Sequence, residues 1–233
     1  MTYRELINQV LIRLREDTIS SDWSGAINDS TTVSAYQKVI GALINDSKKS
    51  IEGYHDWLNL RETVNISTVA GTKNYNLSSG QELKIVDVIN NTSGIHLSQV
   101  SRQYINTVKY PTDDTGEPLY YAFNGSDASN NLKIDLSPVP TTAQTLSFDI
   151  VKPQDDLSLA ATVLKIPSKP VILGAWARAI SERGEDGGTQ SSLMAQETGE
   201  AIKQAIMIDS GNTEYESDWY VKENFTQGTV NFR

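Results

Sequence analysis

Apolar residues near the start of the chain repeat every three or four positions, which predicts two amphipathic helices. The first helix begins at Thr2 and Glu5, whose spacing is that of a capping box. Residues 19–32 are rich in Ser, Asp, Asn and Gly, which is typical of a loop. The second helix is predicted to begin after a cap at Thr32 or Ser34 and to end at Leu58.

After Leu60 the period of the apolar positions shortens to two, which indicates β-strands separated by Asn, Gly, Asp and Pro. Hairpin turns are predicted at residues 90–94 and 124–127, and one short helix at residues 102–109. The predicted strands lie at residues 64–68, 75–77, 83–89, 95–100, 119–123, 132–136 and 146–151. Because most of them have no helix in between, they predict an antiparallel sandwich or a small barrel.

Helical spacing returns at Ser168, with Pro170 in the first turn of an apolar helix that ends at Gly184. A last helix is predicted from a cap at Thr189 to Gly211. The following residues scatter aromatic side chains among polar ones and show no period.

Together these elements predict an α+β fold with two regions and a tail. Residues 1–58 and 167–211 are expected to build a helical bundle from the N- and C-terminal helices. Residues 59–166 are expected to form an antiparallel β-sandwich or small barrel inserted into that bundle. Residues 212–233 are predicted to be an extended C-terminal arm.

Composition narrows the possible functions. The chain has 233 residues, no cysteine, and 20 basic against 29 acidic residues, a net charge of −9. Without cysteine there is no disulfide framework, no thiolate metal site and no cysteine nucleophile. A protein with this charge has no basic surplus to neutralise DNA phosphates. No apolar run is long enough to cross a bilayer and no signal peptide is expected, so the sequence predicts a soluble protein made inside the cell.

Candidate catalytic residues are few. The two histidines, His55 and His96, are expected to be structural, because a histidine needs a positioned partner to act as a base or a ligand. The acidic turn containing Asp113, Asp114 and Glu117 lacks the spacing of an EF-hand and is expected to be solvated. Glu185 and Asp186 form an acidic pair between two helices, without support for a catalytic role. No cofactor and no metal ion is predicted.

The four tryptophans fall into two groups. Trp57 and Trp176 lie at or in apolar helices and are expected to fill the core. Trp23 and Trp219 lie in polar segments, where each either packs on its own domain or anchors on a neighbouring chain.

Several short motifs follow one another in a characteristic order. They are Trp57-Leu58, residues 70–77 (AGTKNYNL), residues 115–121 (TGEPLYY), residues 132–140 (LKIDLSPVP) and Ile166-Pro167 before an apolar helix. In this order the chain resembles the head-to-tail adaptor proteins of short-tailed bacteriophages, including the tail tubular protein A type. The resemblance covers about residues 2–210, and the tail has no motif that aligns.

The resemblance implies a structural virion protein without enzymatic activity, made in the host cytoplasm and located at the head-tail interface. Such adaptors form a ring, commonly a dodecamer, that joins the portal to the tail nozzle of tail tubular protein B type and extends the DNA channel. Implied partners are therefore the portal protein, the nozzle and, in many members, a tail fibre. DNA passes through without sequence-specific binding, and no membrane is involved.

Most of the net charge lies in residues 182–223, which hold three basic and ten acidic residues, a net charge of −7. Such a segment either lines the channel or meets a basic surface of the portal. The candidates for contact with the portal or a neighbouring subunit are Tyr215, Trp219, Tyr220, Phe225 and Phe232. The acidic candidates facing the channel or the portal are Glu197, Glu200, Asp209, Glu214, Glu216 and Asp218.

Two alternative functions are consistent with particular features of the sequence. A virion or surface β-module that binds carbohydrate or a tail fibre requires an exposed aromatic residue on the strands. Tyr120 and Tyr121 are the candidates, and because adjacent strand residues face opposite sides, only one of them should be exposed. A hydrolase using Asp113, Asp114 and His96 is the least favoured hypothesis.

Overall fold

The computed structural model describes residues 1–77, 82–108, 114–184 and 188–212. It confirms a mixed α+β chain, with helices at both ends of the described part and strands between them. The helices are α1 (Tyr3–Arg13), α2 (Ala35–Glu52), α3 (Arg102–Val108), α4 (Ser168–Arg183) and α5 (Thr189–Asn212), with a 3₁₀ turn at Leu58–Leu60. The predicted short helix and both C-terminal helices are confirmed.

Ten strands lie between the 3₁₀ turn and α4 among the described residues. They are β1 (Arg61–Ser67), β2 (Asn74–Leu77), β3 (Lys84–Asn90), β4 (Ile95–His96), β5 (Ser98–Gln99), β6 (Thr115–Gly116), β7 (Tyr120–Ser126), β8 (Leu132–Ser137), β9 (Val139–Pro140) and β10 (Thr145–Val151). Two four-stranded sheets have the orders β1-β10-β3-β4 and β2-β8-β7-β5, and β6 pairs with β9.

The barrel alternative is wrong, because each four-stranded sheet in the described part is open and has two edge strands. The pairing is also not purely antiparallel. Strand β5 runs parallel to β7, and β6 runs parallel to β9. The chain between β5 and β7 passes through α3, and such a crossover returns the second strand in the same direction as the first.

Buried apolar residues form two main clusters. The helical cluster takes its side chains from α1, α2 and α4, from residues 19–33, and from residues 157–166. The strand cluster takes its side chains from both four-stranded sheets, including Leu77, Val88, Ile134, Leu136 and Phe148. Residues 157–166 thus follow the strands in sequence but pack with the helices.

Local signals in the sequence explain where most elements begin and end. Both side chains of the Thr2–Glu5 capping box are bonded as predicted, and Ser34 caps α2 in the same way. Gly184 closes α4 in the left-handed conformation, with φ of 66°, which glycine adopts at little cost.

Two local predictions are wrong. Helix α2 ends at Glu52 with Gly53 as its cap, and the Trp57 indole then folds back to donate to the carbonyl of Ile51. Of the turn predicted at residues 124–127, residues 124–126 are part of β7. The chain reverses after it, where the Asp127 carboxylate accepts hydrogen bonds from the backbone amides of Ser129 and Asn131. Asp127 therefore supplies the turn chemistry that Asn124-Gly125 was expected to supply.

Candidate assembly surface on helix α5

Helix α5 packs through one face on α4. Its buried residues are Met194, Ala201 and Ala205, and the small alanines let the two helices approach closely. On the α4 side, Gly174 has no Cβ at the point where Ser47 of α2 and Thr198 of α5 come close. Contact through small residues therefore fixes which face of α5 turns inward and which remains outside.

The opposite face of α5 is exposed and mixes apolar and acidic side chains. Leu193, Met207 and Ile208 are 53%, 73% and 70% exposed, and Glu197 and Glu200 are also exposed. Leu193, Glu200 and Met207 are seven residues apart and therefore lie on one side of the helix. We call Leu193, Glu197, Glu200, Gln204, Met207 and Ile208 the outer face of α5. Gln204 and Ile208 form its edge, next to Ala201 and Ala205.

Asp209 is placed differently from the two glutamates. Its carboxylate is half-buried and lies 3.0 Å from Nε2 of His55, and it accepts a hydrogen bond of 3.1 Å from the backbone amide of Leu58. The His55 ring in turn makes an edge contact with Trp57 at 5.1 Å between ring centroids. Asp209 thus fastens the end of α5 to the segment between α2 and β1.

The remaining predicted contact residues lie outside the described residues. They are Tyr215, Trp219, Tyr220, Phe225 and Phe232 among the aromatic candidates, and Glu214, Glu216 and Asp218 among the acidic ones.

An open groove of about 400 Å³ runs between the N-terminus of α4 and the C-terminal half of α5. Ala201, Ala205, Ile208, Pro167 and Pro170 form its apolar part. Asn59, Lys169, Gln204 and Asp209 add polar groups. No sequence pattern indicates this groove, because Lys169 and Pro170 carry only the pattern of a helix start and Asn59 carries none.

The candidate catalytic and metal-binding residues each make a different structural contact. His96 lies 2.8 Å from Asp87 on the neighbouring strand, and Glu117 accepts a hydrogen bond from the buried Asn90. Asp114 bonds Val139 through its backbone carbonyl. Within the described ranges no group of three His, Asp or Glu side chains could hold a metal ion. Asp113, Glu185 and Asp186 lie outside the described residues.

The aromatic residues of the strands separate as the alternation predicts. Tyr121 is buried and contacts Phe123 and Phe148, whereas Tyr120 is half-buried. Tyr120 packs edge to face with Tyr104 of α3, which is 40% exposed.

The tryptophans of the described part all belong to the helical region. Trp57 is buried in the helical cluster, and Trp176 packs against it. Trp23 is only 2% exposed despite its polar surroundings, and it packs edge to face on Tyr3. Of the two alternatives for Trp23, it therefore packs on its own chain.

Fold and surface together define a mixed α+β protein that presents one helix face of apolar and acidic side chains. The family model described as SU10 adaptor protein matches residues 1–221. The chain belongs to the SU10 adaptor protein family, which confirms the resemblance to phage head-to-tail adaptors. It is a structural adaptor protein of a bacteriophage and a virion component, and this membership implies a non-enzymatic role.

The comparison with curated proteins found no match. None of the described helices is long and apolar enough to span a membrane.

Proposed function

We propose that this protein forms a ring, a dodecamer by family resemblance, that joins the portal to the tail nozzle and extends the DNA channel. The observation that carries the proposal is the outer face of α5. In an isolated monomer the Met207 and Ile208 side chains expose apolar surface to water at the end of a helix, whereas a partner that covers them buries this surface. The predicted arm begins a few residues further along.

Charge supports a channel or portal-facing position for the same region. Glu197 and Glu200 lie on the outer face, and Glu214, Glu216 and Asp218 follow in sequence. An acidic wall repels DNA phosphates and lets the duplex pass without binding, and it also attracts a basic surface of a portal. We assign Asp209 a different part in this surface, because its carboxylate holds the end of α5 in place.

The domain division is also part of the proposal. The separate clusters support a helical unit of residues 1–58 and 167–211 and a strand unit that begins at residue 59. The strand cluster draws on both sheets, which supports a sandwich. Because residues 157–166 pack with the helices, we place the second boundary near Lys152 instead of Ile166.

Copurification with the portal protein tests the function directly. The variant Leu193→Ser/Met207→Ser, at two exposed residues that do not line the groove beside α4, should fold normally and lose portal binding or ring formation in negative-stain images. Ile12→Ser is the matched control, because Ile12 is 57% exposed on α1 and lies outside the outer face of α5. A double variant that assembles like the control would contradict the proposal.

Salt dependence and truncation address the charge and the arm. If the acidic segment meets a basic portal surface, portal binding should weaken steeply with ionic strength, whereas a channel-lining segment predicts little change.

A chain truncated after Gly211 should keep its thermal midpoint and lose assembly. A large fall in the midpoint would instead place the arm in the protein's own core.

A second candidate function rests on Tyr104 and Tyr120, whose rings contact each other on the strand region, with Tyr104 40% exposed. A β-module that binds carbohydrate or a tail fibre would use such aromatic residues. Loss of glycan-array or fibre binding in Tyr104→Ala, with portal binding intact, would favour it. A lack of any such binding by the wild-type protein would eliminate it.

A further inference from the structure

The groove between α4 and α5 combines an apolar floor with two charged lining residues, Lys169 and Asp209. Ala201, Ala205 and Ile208 of α5 face Pro167 and Pro170 of α4. Lys169 lines the groove with an exposed side chain, and Lys165, also exposed, lies four residues before it. Neither lysine makes an ion pair within the described part of the chain.

The N-terminus of α4 adds positive potential beside Lys169. Its N-cap residue is Pro167, which has no side-chain capping bond to the first turn. The positive end of the helix dipole therefore points into the groove without a carboxylate from its own cap. Asp209 also lines the groove, and its carboxylate is already bound to His55 and the amide of Leu58.

These features fit a peptide that alternates acidic and aromatic side chains. Residues 214–220 have the sequence EYESDWY, with three acidic and three aromatic residues. Tyr and Trp bury large apolar areas on a floor of small side chains, while their neighbouring carboxylates meet Lys169 and the helix N-terminus. We infer that the groove receives residues 214–220 from a second copy of the chain.

Chain direction favours a second copy over the same molecule. Helix α5 runs along the groove from Ala201 to Asp209 and ends at Asn212. To enter its own groove, the segment that follows Asn212 would have to reverse direction within two residues, with Glu214 held close to Asp209. A second copy's segment is not tethered to Asn212, so its carboxylates can lie beside Lys169 and away from Asp209, which also lines the groove. Repeated head to tail, such a contact forms a ring when the rotation between copies closes, so the inference rests on the proposed function and names the contact between its subunits.

Disulfide trapping tests this contact, because the natural chain has no cysteine. The full-length variant Lys169→Cys/Ser217→Cys is assembled on portal rings, oxidised with copper phenanthroline and separated on a non-reducing gel. Ser217 lies between the acidic and aromatic residues and leaves them intact. The matched control is Lys203→Cys/Ser217→Cys, because Lys203 is exposed on α5 but does not line the groove.

The inference predicts a ladder of covalent dimers, trimers and larger species for the Lys169 variant, severalfold stronger than for the control. A monomer band with an internal disulfide would overturn it, because the segment would then occupy its own groove. Equal yields for both variants, or no disulfide in an intact portal complex, would also overturn it and leave the proposed function standing. Failure of the wild-type protein to assemble with portal would overturn both.

A charge reversal gives an independent measurement. Lys169→Glu should weaken self-association on the portal severalfold, whereas Lys203→Glu, with the same charge change outside the groove, should have little effect. Equal effects of the two reversals would show that net charge, and no contact in the groove, controls assembly.

Discussion

The helical cluster and the strand cluster are held together in different ways. The strand cluster is built from strands that pair in register, such as β1 with β10 and β7 with β8, so its apolar residues are aligned by backbone hydrogen bonds. The helical cluster brings together α1, residues 19–33, α2, residues 157–166 and α4 from distant parts of the chain. Among the described residues these segments are joined by isolated bridges, Thr2 with Val163 and Ala26 with Leu159, instead of long ladders, so their alignment depends mainly on side-chain contacts.

Their buried polar groups show the same contrast. In the helical region Lys48 is fully buried and pairs with Glu52 at 3.3 Å, and its ammonium also donates to the carbonyls of Gln154 and Asp155. In the strand region Asn90 is fully buried and donates to Glu117 and Gln144. A buried charge tolerates the loss of its partner far less than a neutral amide does. We therefore expect the helical region to be the less tolerant of substitution.

Lys48→Met should have the largest effect. It removes the counter-ion of the buried Glu52 carboxylate, which keeps only the amide of Gln154 as a described donor, and the ammonium bound by two carbonyls. This loss costs about 3–5 kcal/mol of unfolding free energy. Denaturant unfolding followed by tryptophan fluorescence measures this loss, because Trp23, Trp57 and Trp176 all belong to the helical region.

Lys49→Met is the control for that change. The Lys49–Asp156 pair is exposed, with side chains 56% and 54% accessible, so its loss should cost less than about 1 kcal/mol. Equal losses from the two adjacent lysines would refute the contrast between a buried and an exposed ion pair.

Phe148→Ala tests whether the two clusters unfold together. Phe148 is fully buried in the strand cluster, and its removal should cost about 3–5 kcal/mol. If the two clusters unfold as one unit, the unfolding midpoints measured by far-ultraviolet circular dichroism and by tryptophan fluorescence will fall by the same amount. Strand unfolding with unchanged fluorescence would show two independent units. Val86→Ala, at a residue 41% exposed, should change little.

Gly174→Ala examines close packing between helices. A Cβ at this position overlaps Oγ of Ser47, so we expect a loss of about 1–3 kcal/mol in thermal or denaturant unfolding. The double variant Ser47→Ala/Gly174→Ala should recover most of it, since that oxygen is buried without a hydrogen bond within the described part.

Gly199→Ala is the matched control on α5. No atom outside its own helix lies within 4 Å of the added Cβ, so it should stabilise by up to about 1 kcal/mol through helix propensity. No recovery in the Ser47/Gly174 double variant would mean that a different contact makes Gly174 necessary.

The smallest effect is expected for Asp127→Asn in the strand region. Hydrogen bonds from the amide and side chain of Asn131 lower the pKa of Asp127. The folded-state pKa lies below the unfolded value, so the carboxylate stabilises the protein above the unfolded pKa. This contribution is lost as the pH falls through the folded pKa.

The difference in unfolding free energy between wild type and Asp127→Asn should therefore be present near neutral pH and decrease as the pH is lowered. Urea unfolding at a series of pH values measures it. A gap that stays constant down to low pH would show that the carboxylate charge is not responsible.

Much of the local structure was predictable because its causes are local. The capping boxes at Thr2 and Ser34, the left-handed Gly184 and the alternation at Tyr120 and Tyr121 each depend on a few neighbouring residues. The end of α2 was predicted too late because the apolar spacing continues through Trp57, while Gly53 ends the helix. The hairpin turn was predicted too early, because the chain reverses where the Asp127 carboxylate binds backbone amides and not at Asn124-Gly125.

The candidate surface was predictable only in part. Glu197 and Glu200 are exposed as their helical pattern predicts, and the exposed Met207 and Ile208 beside them were not anticipated. Asp209 belongs to the same acidic run, yet His55 and Leu58, more than 150 residues away in sequence, bind its carboxylate. No pattern within one helix reports such a partner.

The sequence by itself determined the type and order of most elements, the acidic C-terminal region and the adaptor family, because periodicity, charge and motif order are properties of a linear chain. Tertiary structure alone decided that residues 157–166 join the helical cluster, that Lys48 is buried and that a groove opens beside α5. These features depend on which distant segments meet. Hydrophobic burial favours any apolar contact, and only the packed fold selects among them.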